Sequence, residues 1–186
     1  MGSRSRVLAI AGGSGSGKTT LAGALLKAIT LDRMAMLPLD TYYYDLSRLP
    51  LKDRESINFD HPKALDLVLF RDHIECLLRG EPIDCPDYDF TTHCRLSTSK
   101  RVEPRPLIVV EGILVAATPG LRDLYDHLVF LEAPPKLRQD RRIQRDQFER
   151  GRDTASIERF WIRAEENFAE WGPLARDNAD QIIEGA

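Results

Sequence analysis

One stretch limits what this chain can fold into: Gly12-Gly13-Ser14-Gly15-Ser16-Gly17-Lys18-Thr19-Thr20. It fits G-x-x-x-x-G-K-[ST], the phosphate-binding P-loop. Ahead of it, Val7-Leu8-Ala9-Ile10-Ala11 is a short apolar run that suits a buried strand. Behind it, Leu21, Leu25, Leu26 and Ile29 recur at helical spacing. The motif therefore stands between a strand and a helix, where its physics requires it. Glycines let the backbone fold round an anion with its N–H groups inward, and the helix start adds partial positive charge. Lys18 can reach the β and γ phosphates, and the Thr19 hydroxyl can hold Mg²⁺. A Gly/Ser linker that happens to contain a lysine accounts for none of this context.

The 186 residues are enough for one domain with a proper core, and no repeat or linker divides residues 1–186. A formal net charge of −3 argues against bulk attraction to nucleic acid or an anionic membrane. No apolar run approaches a membrane span, and no signal-peptide apolar region precedes the first strand. Cys76, Cys85 and Cys94 form an odd, sparse set, which points to a reducing, cytoplasmic compartment. Cys85, His93 and Cys94 match no zinc spacing.

Met34-Ala35-Met36-Leu37-Pro38-Leu39 reads as a second strand ending near Pro38, with Asp40 at its carboxyl end, the edge where ligands of parallel sheets bind. Residues 45–60 read as a loop. Pro62 as a first residue, Leu67, Ile74 and Leu78 in register, and Gly80 as a stop predict a helix over 62–79. Residues 82–104, rich in proline, aromatics and threonine, predict an irregular excursion or hairpin, the kind of insertion that reads substrate.

Pro106-Leu107-Ile108-Val109-Val110-Glu111-Gly112 is the strongest strand. Its unbroken apolar run implies burial on both faces, and Glu111 at its end is a Walker-B-like acid for Mg²⁺ or its water. A further strand is expected over Leu128-Val129-Phe130-Leu131. Pro134-Pro135 then opens a basic helix in which Arg138, Arg141, Arg142 and Arg145 share one face, followed by Arg150 and Arg152. Such a row facing a P-loop can hold ATP and compensate a transferring phosphoryl group, so 136–153 is expected to be a lid. Ion pairs Asp146–Arg150 and Arg145–Glu149 explain only part of the pattern. A helix over 154–171 carries Ile157, Phe160, Trp161, Ala164 and Phe168 on one side, read as core. A last short strand falls on Asp180-Gln181-Ile182-Ile183. Alternating strands and helices give an α/β class with a parallel sheet covered on both faces.

Taken together, the P-loop, Leu39-Asp40-Thr41-Tyr42-Tyr43, Asn58-Phe59-Asp60-His61-Pro62, Tyr88-Asp89-Phe90-Thr91-Thr92-His93-Cys94-Arg95, Glu111-Gly112-Ile113-Leu114 and Arg145 to Asp153 resemble the uridine kinases (uridine–cytidine kinases) of the P-loop kinase group. The resemblance runs from about residue 6 to residue 185. It implies a P-loop NTPase fold: three α/β/α layers, a five-stranded parallel sheet of order 2-3-1-4-5, a substrate hairpin and an Arg-rich lid. It implies phosphorylation of the 5′-hydroxyl of uridine or cytidine, with ATP or GTP as donor and Mg²⁺. By this likeness Asp40 is the base and a neighbour of Mg²⁺, with Lys18 and Arg145 also catalytic. Thr19, Asp40 and Glu111 hold the metal. Asp60 and Arg142 hold the ribose hydroxyls, and Tyr43, Phe59, Tyr88 and His93 enclose the pyrimidine. Residues Gly12 to Thr20 take the nucleotide phosphates, and Arg145, Arg150 and Arg152 face them from the lid. The family's nucleoside-holding Gln, in the helix after the lid, falls here on Arg159 or Phe160. The resemblance allows a homo-oligomer, and the short tail after Ile183 leaves the assembly open.

Other small-molecule P-loop kinases, for pantothenate, ribulose phosphate or nicotinamide riboside, are the nearest alternative. A GTP switch lacks its N-K-x-D and D-x-x-G motifs here. A purely regulatory nucleotide-binding module would not need Lys18, Thr19, Asp40 and Glu111 together.

Overall fold

The computed structural model describes residues 4–29, 32–54, 56–116, 120–150 and 152–184; the Arg150 side chain lies outside the described set. Strands β1 (Arg6–Gly12), β2 (Met34–Pro38), β5 (Leu107–Glu111), β6 (His127–Glu132) and β7 (Gln181–Glu184) form one parallel sheet. Their spatial order is β2-β5-β1-β6-β7, which is 2-3-1-4-5 when the sheet's own strands are counted along the chain. The apolar run of β5 sits between β2 and β1, as burial on both faces requires.

Side-chain alternation builds the layers. Val7, Ala9 and Ala11 of β1, Ala35 and Leu37 of β2, and Ile108 and Val110 of β5 point into the larger core. Ile10, Met34 and Val109 point the other way, onto Leu21, Leu25, Leu26 and Ile29 of helix α1 (Lys18–Ile29). The larger core is completed by Leu39, Tyr42, Phe70, Ile74 and Leu77, and by Phe168 of the long helix near the chain's end. The result is the three-layer α/β/α architecture expected.

After β2 a 3₁₀ turn, Leu39–Tyr42, carries Asp40. Helix α2 is a single turn, Leu51–Arg54, within the segment read as loop. Helix α3 runs only over Leu67–Leu78. Pro62 opens a separate 3₁₀ turn, Pro62–Ala64, rather than this helix. The intervening Leu65 is extended, buried, and bridged to Tyr43, and the Asp66 carboxylate then accepts from Leu69 N at 3.1 Å as the true N-cap. The segment before α3 is thereby tied to the one behind Asp40.

Strands β3 (Ile83–Asp89) and β4 (Cys94–Val102) pair antiparallel as a hairpin beside the main sheet. Helix α4 covers Pro135–Arg150 and helix α5 Thr154–Asp177. Helix α5 continues six residues past the expected end at 171, through Pro173. Gly172 makes room: a Cβ there would meet the Phe168 ring at 2.8 Å. The buried face from Ile157 to Ala175 outweighs the hydrogen bond that proline removes.

Candidate active site

The P-loop leaves the carboxyl end of β1 and enters α1. The Lys18 ammonium, buried at 8% exposure, donates to the Gly13 carbonyl at 3.0 Å. Burial lowers its pKa, and the charges of Glu111 and Asp40 act in the opposite direction. Thr19 Oγ1 donates to Glu111 Oε1 at 3.1 Å, joining α1 to the end of β5. Burial raises the Glu111 pKa, against the pull of Lys18. Gly15 is left-handed, with φ +77°, and a Cβ there would run into the Arg138 carbonyl. At Gly13 it would meet Arg138 Nη1 at 2.5 Å. Glycine is thus required by helix α4 packed against the loop as well as by the turn.

A cleft of about 810 Å³ opens in front of the loop, lined by Ser14, Gly15, Gly17, Lys18, Thr19 and Thr20, then by Asp40, Glu111, Arg141, Arg142 and Arg145. The buried Ser16 hydroxyl has no hydrogen-bond partner among the described residues. An inward-facing backbone turn, an unpartnered hydroxyl and a buried ammonium fit the phosphates of a nucleotide. One hydroxyl and two carboxylates are hard oxygen donors of the kind that suit Mg²⁺, whose remaining positions are usually taken by water and phosphate oxygens.

A second cavity adjoins the cleft. Asp40, Ser14, Ile113, Arg142 and Arg145 border both. Its walls are aromatic: Phe59 stacks on His93 with centroids 4.5 Å apart and planes 17° apart, and Tyr43 lies 5.3 Å from both Phe59 and Tyr88. The buried Tyr88 hydroxyl has no partner among the described residues, and burial raises its pKa. Asp60, also buried, faces Arg142 Nη1 at 4.0 Å. His93 turns the hairpin with φ 55°, the one described non-glycine residue at positive φ. Asp89 fixes that turn by accepting from the Thr91 and Thr92 hydroxyls at 2.6 and 2.7 Å.

The hairpin is pinned to the Asp40 segment by one side chain. Arg95 donates from Nε to the Tyr43 carbonyl at 3.1 Å and from Nη2 to the Tyr42 carbonyl at 3.0 Å, and pairs with Asp66 at 3.4 Å. Arg95 lies within the Tyr88–Arg95 motif, but nothing in its local sequence signals this clamp.

The arginine row divides between the two sides of helix α4. Arg138 does not face the cleft as a lid residue. It is buried, paired with Glu165 at 2.7 and 2.8 Å, and lies under the P-loop with Phe168 4.7 Å from its guanidinium carbon. Arg141, Arg142 and Arg145 do line the cleft. Arg152, expected on the nucleotide phosphates, lines the aromatic cavity instead, 4.1 Å over the Phe160 ring. Asp146 pairs with Arg145 at 2.8 Å and with Arg152 at 3.1 Å. The Arg150 side chain lies outside the described residues. Phe160, read as core, is a cavity wall 6.3 Å from His93, and with Arg159 is one of the two positions where the resemblance expects a Gln. Phe90 and Ile113, each inside one of the motifs that carry the resemblance, also line the cavity.

A P-loop before a metal-suited acid pair, opening onto a small polar–aromatic cavity of about 40 Å³, defines a small-molecule phosphotransferase. The chain belongs to the Phosphoribulokinase / Uridine kinase family, whose model matches residues 7–185. The uridine kinase of Chloroflexus aurantiacus is 42% identical over 180 residues, covering 96% of this chain and 86% of that protein. The uridine kinase of Geobacillus kaustophilus is 46% identical over 157 residues, 84% of this chain and 74% of that one. In fold, the chain matches phosphoribulokinase from Rhodobacter spheroides with a TM-score of 0.72 at 13% identity, covering 97% of this chain and 70% of that one. No helix among the described residues is long and apolar enough to cross a membrane.

Proposed function

We propose that the chain transfers the γ-phosphoryl group of ATP to the 5′-hydroxyl of uridine or cytidine. The observation that carries this reading is the position of Asp40 on the border of both cavities, with phosphate donors on one side and an aromatic enclosure on the other. The pyrimidine lies among Tyr43, Phe59, Tyr88 and His93. The ribose diol sits between Asp60 and Arg142. The 5′-hydroxyl then points at Asp40 and the P-loop.

In the transfer, the nucleoside oxygen forms its bond to the γ-phosphorus while the bond to the β-phosphate bridging oxygen breaks. Asp40 accepts the hydroxyl proton. Lys18 and the P-loop amides hold the phosphate oxygens, and Arg145 meets charge that develops on the transferring group. Mg²⁺, when bound at Thr19, Asp40 and Glu111, supplies further charge neutralisation. Catalysis of this kind is mostly positioning and electrostatics, to which a buried Lys18 held on the Gly13 carbonyl and a buried Glu111 held by the Thr19 hydroxyl contribute. We take ATP or GTP as donor, residues 1–186 as one kinase domain, and the cytoplasm as its compartment.

The test is ADP release across a panel of nucleosides, pantothenate, ribulose 5-phosphate and nicotinamide riboside. Uridine and cytidine should be the best acceptors. A better acceptor without a pyrimidine would replace this reading with one of the neighbouring kinase activities.

A further inference from the structure

Among the described residues, Asp146 is the most deeply buried charged side chain, with no exposed surface. It lines neither cavity, yet it holds arginines that do. Arg145 reaches its Oδ1 from Nε at 2.9 Å and from Nη2 at 2.8 Å. Arg152 donates from Nη1 to Oδ2 at 3.1 Å, and Arg142 Nε stands 3.6 Å from the same oxygen. One carboxylate thus faces three guanidiniums, bonding two of them and standing near the third.

These arginines are not equally fixed. Arg152 is held by its side chain on Asp146, by its backbone N–H on the Asp146 carbonyl at 3.1 Å, and by the Phe160 ring. Arg142 is 5% exposed and also faces Asp60. Arg145 is 32% exposed, borders both cavities, and has the neighbouring Asp146 as its counter-ion. A nucleotide's phosphates in the cleft offer Arg145 more negative charge than Asp146 does, and a guanidinium exchanges readily between carboxylate and phosphate forks.

We infer that Asp146 is a positioning residue: it holds the lid arginines on an internal counter-ion and gives up Arg145 to the nucleotide phosphates. This rests on the phosphoryl-transfer reading above. It has a definite consequence: Asp146 competes with phosphate for Arg145, so removing its charge should strengthen phosphate binding.

The probe is inorganic tripolyphosphate, which carries the phosphate charge with no base and needs no acceptor. Asp146→Asn keeps the shape and one acceptor oxygen. It should bind tripolyphosphate about 10-fold more tightly than wild type in calorimetry, the scale of a typical coupling between two interacting groups. Its gain in Tm on adding the probe should exceed that of wild type. Unchanged or weaker binding, with Tm lowered equally with and without the probe, overturns the inference and leaves Asp146 a packing residue. If the variant does not fold, wild type decides. The arginine Nε–H signal of Arg145, assigned through Arg145→Lys, should shift with tripolyphosphate while that of Arg152 stays. An Arg145 signal that does not move overturns the inference. Neither arm involves a nucleoside, so failure here leaves the choice of acceptor untouched, and failure of the acceptor panel leaves this result standing.

Discussion

Arg138 and Glu165 close a two-point ion pair beneath the P-loop, at 2.7 and 2.8 Å, across the α4–α5 packing. The guanidinium is 4% exposed and the carboxylate 28%, and Arg138 Nε also donates to the Ala133 carbonyl at 3.1 Å. Removing one partner leaves a buried charge unpaired, which usually costs ~3 kcal/mol or more. Partial exposure of Glu165 puts the expected loss for Glu165→Gln at the low end, ~2–3 kcal/mol, or a fall in Tm of about 5–10 °C for a chain of this size. Because Arg138 packs on Gly13 and Gly15, the KM for ATP should rise as well. Thermal melts and ATP kinetics check both effects; a stable variant with unchanged KM would make the pair incidental.

The phosphate site should lose activity on both the acid and the alkaline side. Glu111 must be ionised and Lys18 protonated to act. Burial pushes the Glu111 pKa above its usual 4.5 and the Lys18 pKa below its usual 10.5. Activity is therefore lost as pH falls through the raised Glu111 value and lost again as pH rises through the lowered Lys18 value. The profile of kcat/KM for ATP reports these free-enzyme groups. Glu111→Gln should lower the plateau and move the acid limb to lower pH. An acid limb that stays in place would assign it to another group.

Arg95 gives a different split. From the hairpin it bonds the Tyr42 and Tyr43 carbonyls, just after Asp40, and the Asp66 carboxylate at the start of α3. Arg95→Ala should raise the nucleoside KM about 10-fold, as expected when ~1.4 kcal/mol of positioning is lost, with the KM for ATP little changed. Arg95→Lys should not restore it, because an ammonium cannot reproduce three directed donors from one plane. Equal changes in both KM values would indicate general loosening.

What the sequence made legible was local. The P-loop, the apolar run of β5 and the acid at its end are read from adjacent residues, and each lies where its periodicity put it. Register between distant segments was not legible. The spacing of Arg138, Arg141, Arg142 and Arg145 correctly gives one helix face, but spacing cannot say which end of that face turns inward. Glu165, the residue that decides it for Arg138, is 27 positions away. Pro62 carries a valid helix-start signal, yet the bridge between Leu65 and Tyr43 consumes that stretch and defers the helix to Asp66. Pro173 lacks the N–H that an interior helix position uses, yet packing of Gly172 on Phe168 carries α5 past it. At Phe160 the aromatic pattern of α5 suggested core, and only the approach of His93 and Arg152 makes it a cavity wall.

The ribose prediction tests the acceptor reading at its most polar point. Asp60 Oδ1 and Arg142 Nη1 are 4.0 Å apart, close enough for attraction and too far for a hydrogen bond. Both side chains are nearly buried, so neither interaction is heavily screened by solvent. A hydroxyl placed between them can donate to the carboxylate and accept from the guanidinium. Sites built to bond a hydroxyl reject analogues lacking it by as much as ~10⁴–10⁵. Water in the gap would replace part of the lost bonding, so the expected preference for uridine over 2′-deoxyuridine is smaller, about 100-fold in kcat/KM. Asp60→Ala removes the acceptor and should narrow that ratio, chiefly by raising KM for uridine while that for deoxyuridine changes less. Phe160→Gln, which supplies an amide at the cavity wall, gives a second reading: it should widen the preference if the wall lies within reach of the sugar. Equal use of both sugars by the wild-type enzyme, or a ratio that Asp60→Ala leaves untouched, would remove Asp60 and Arg142 from the sugar site.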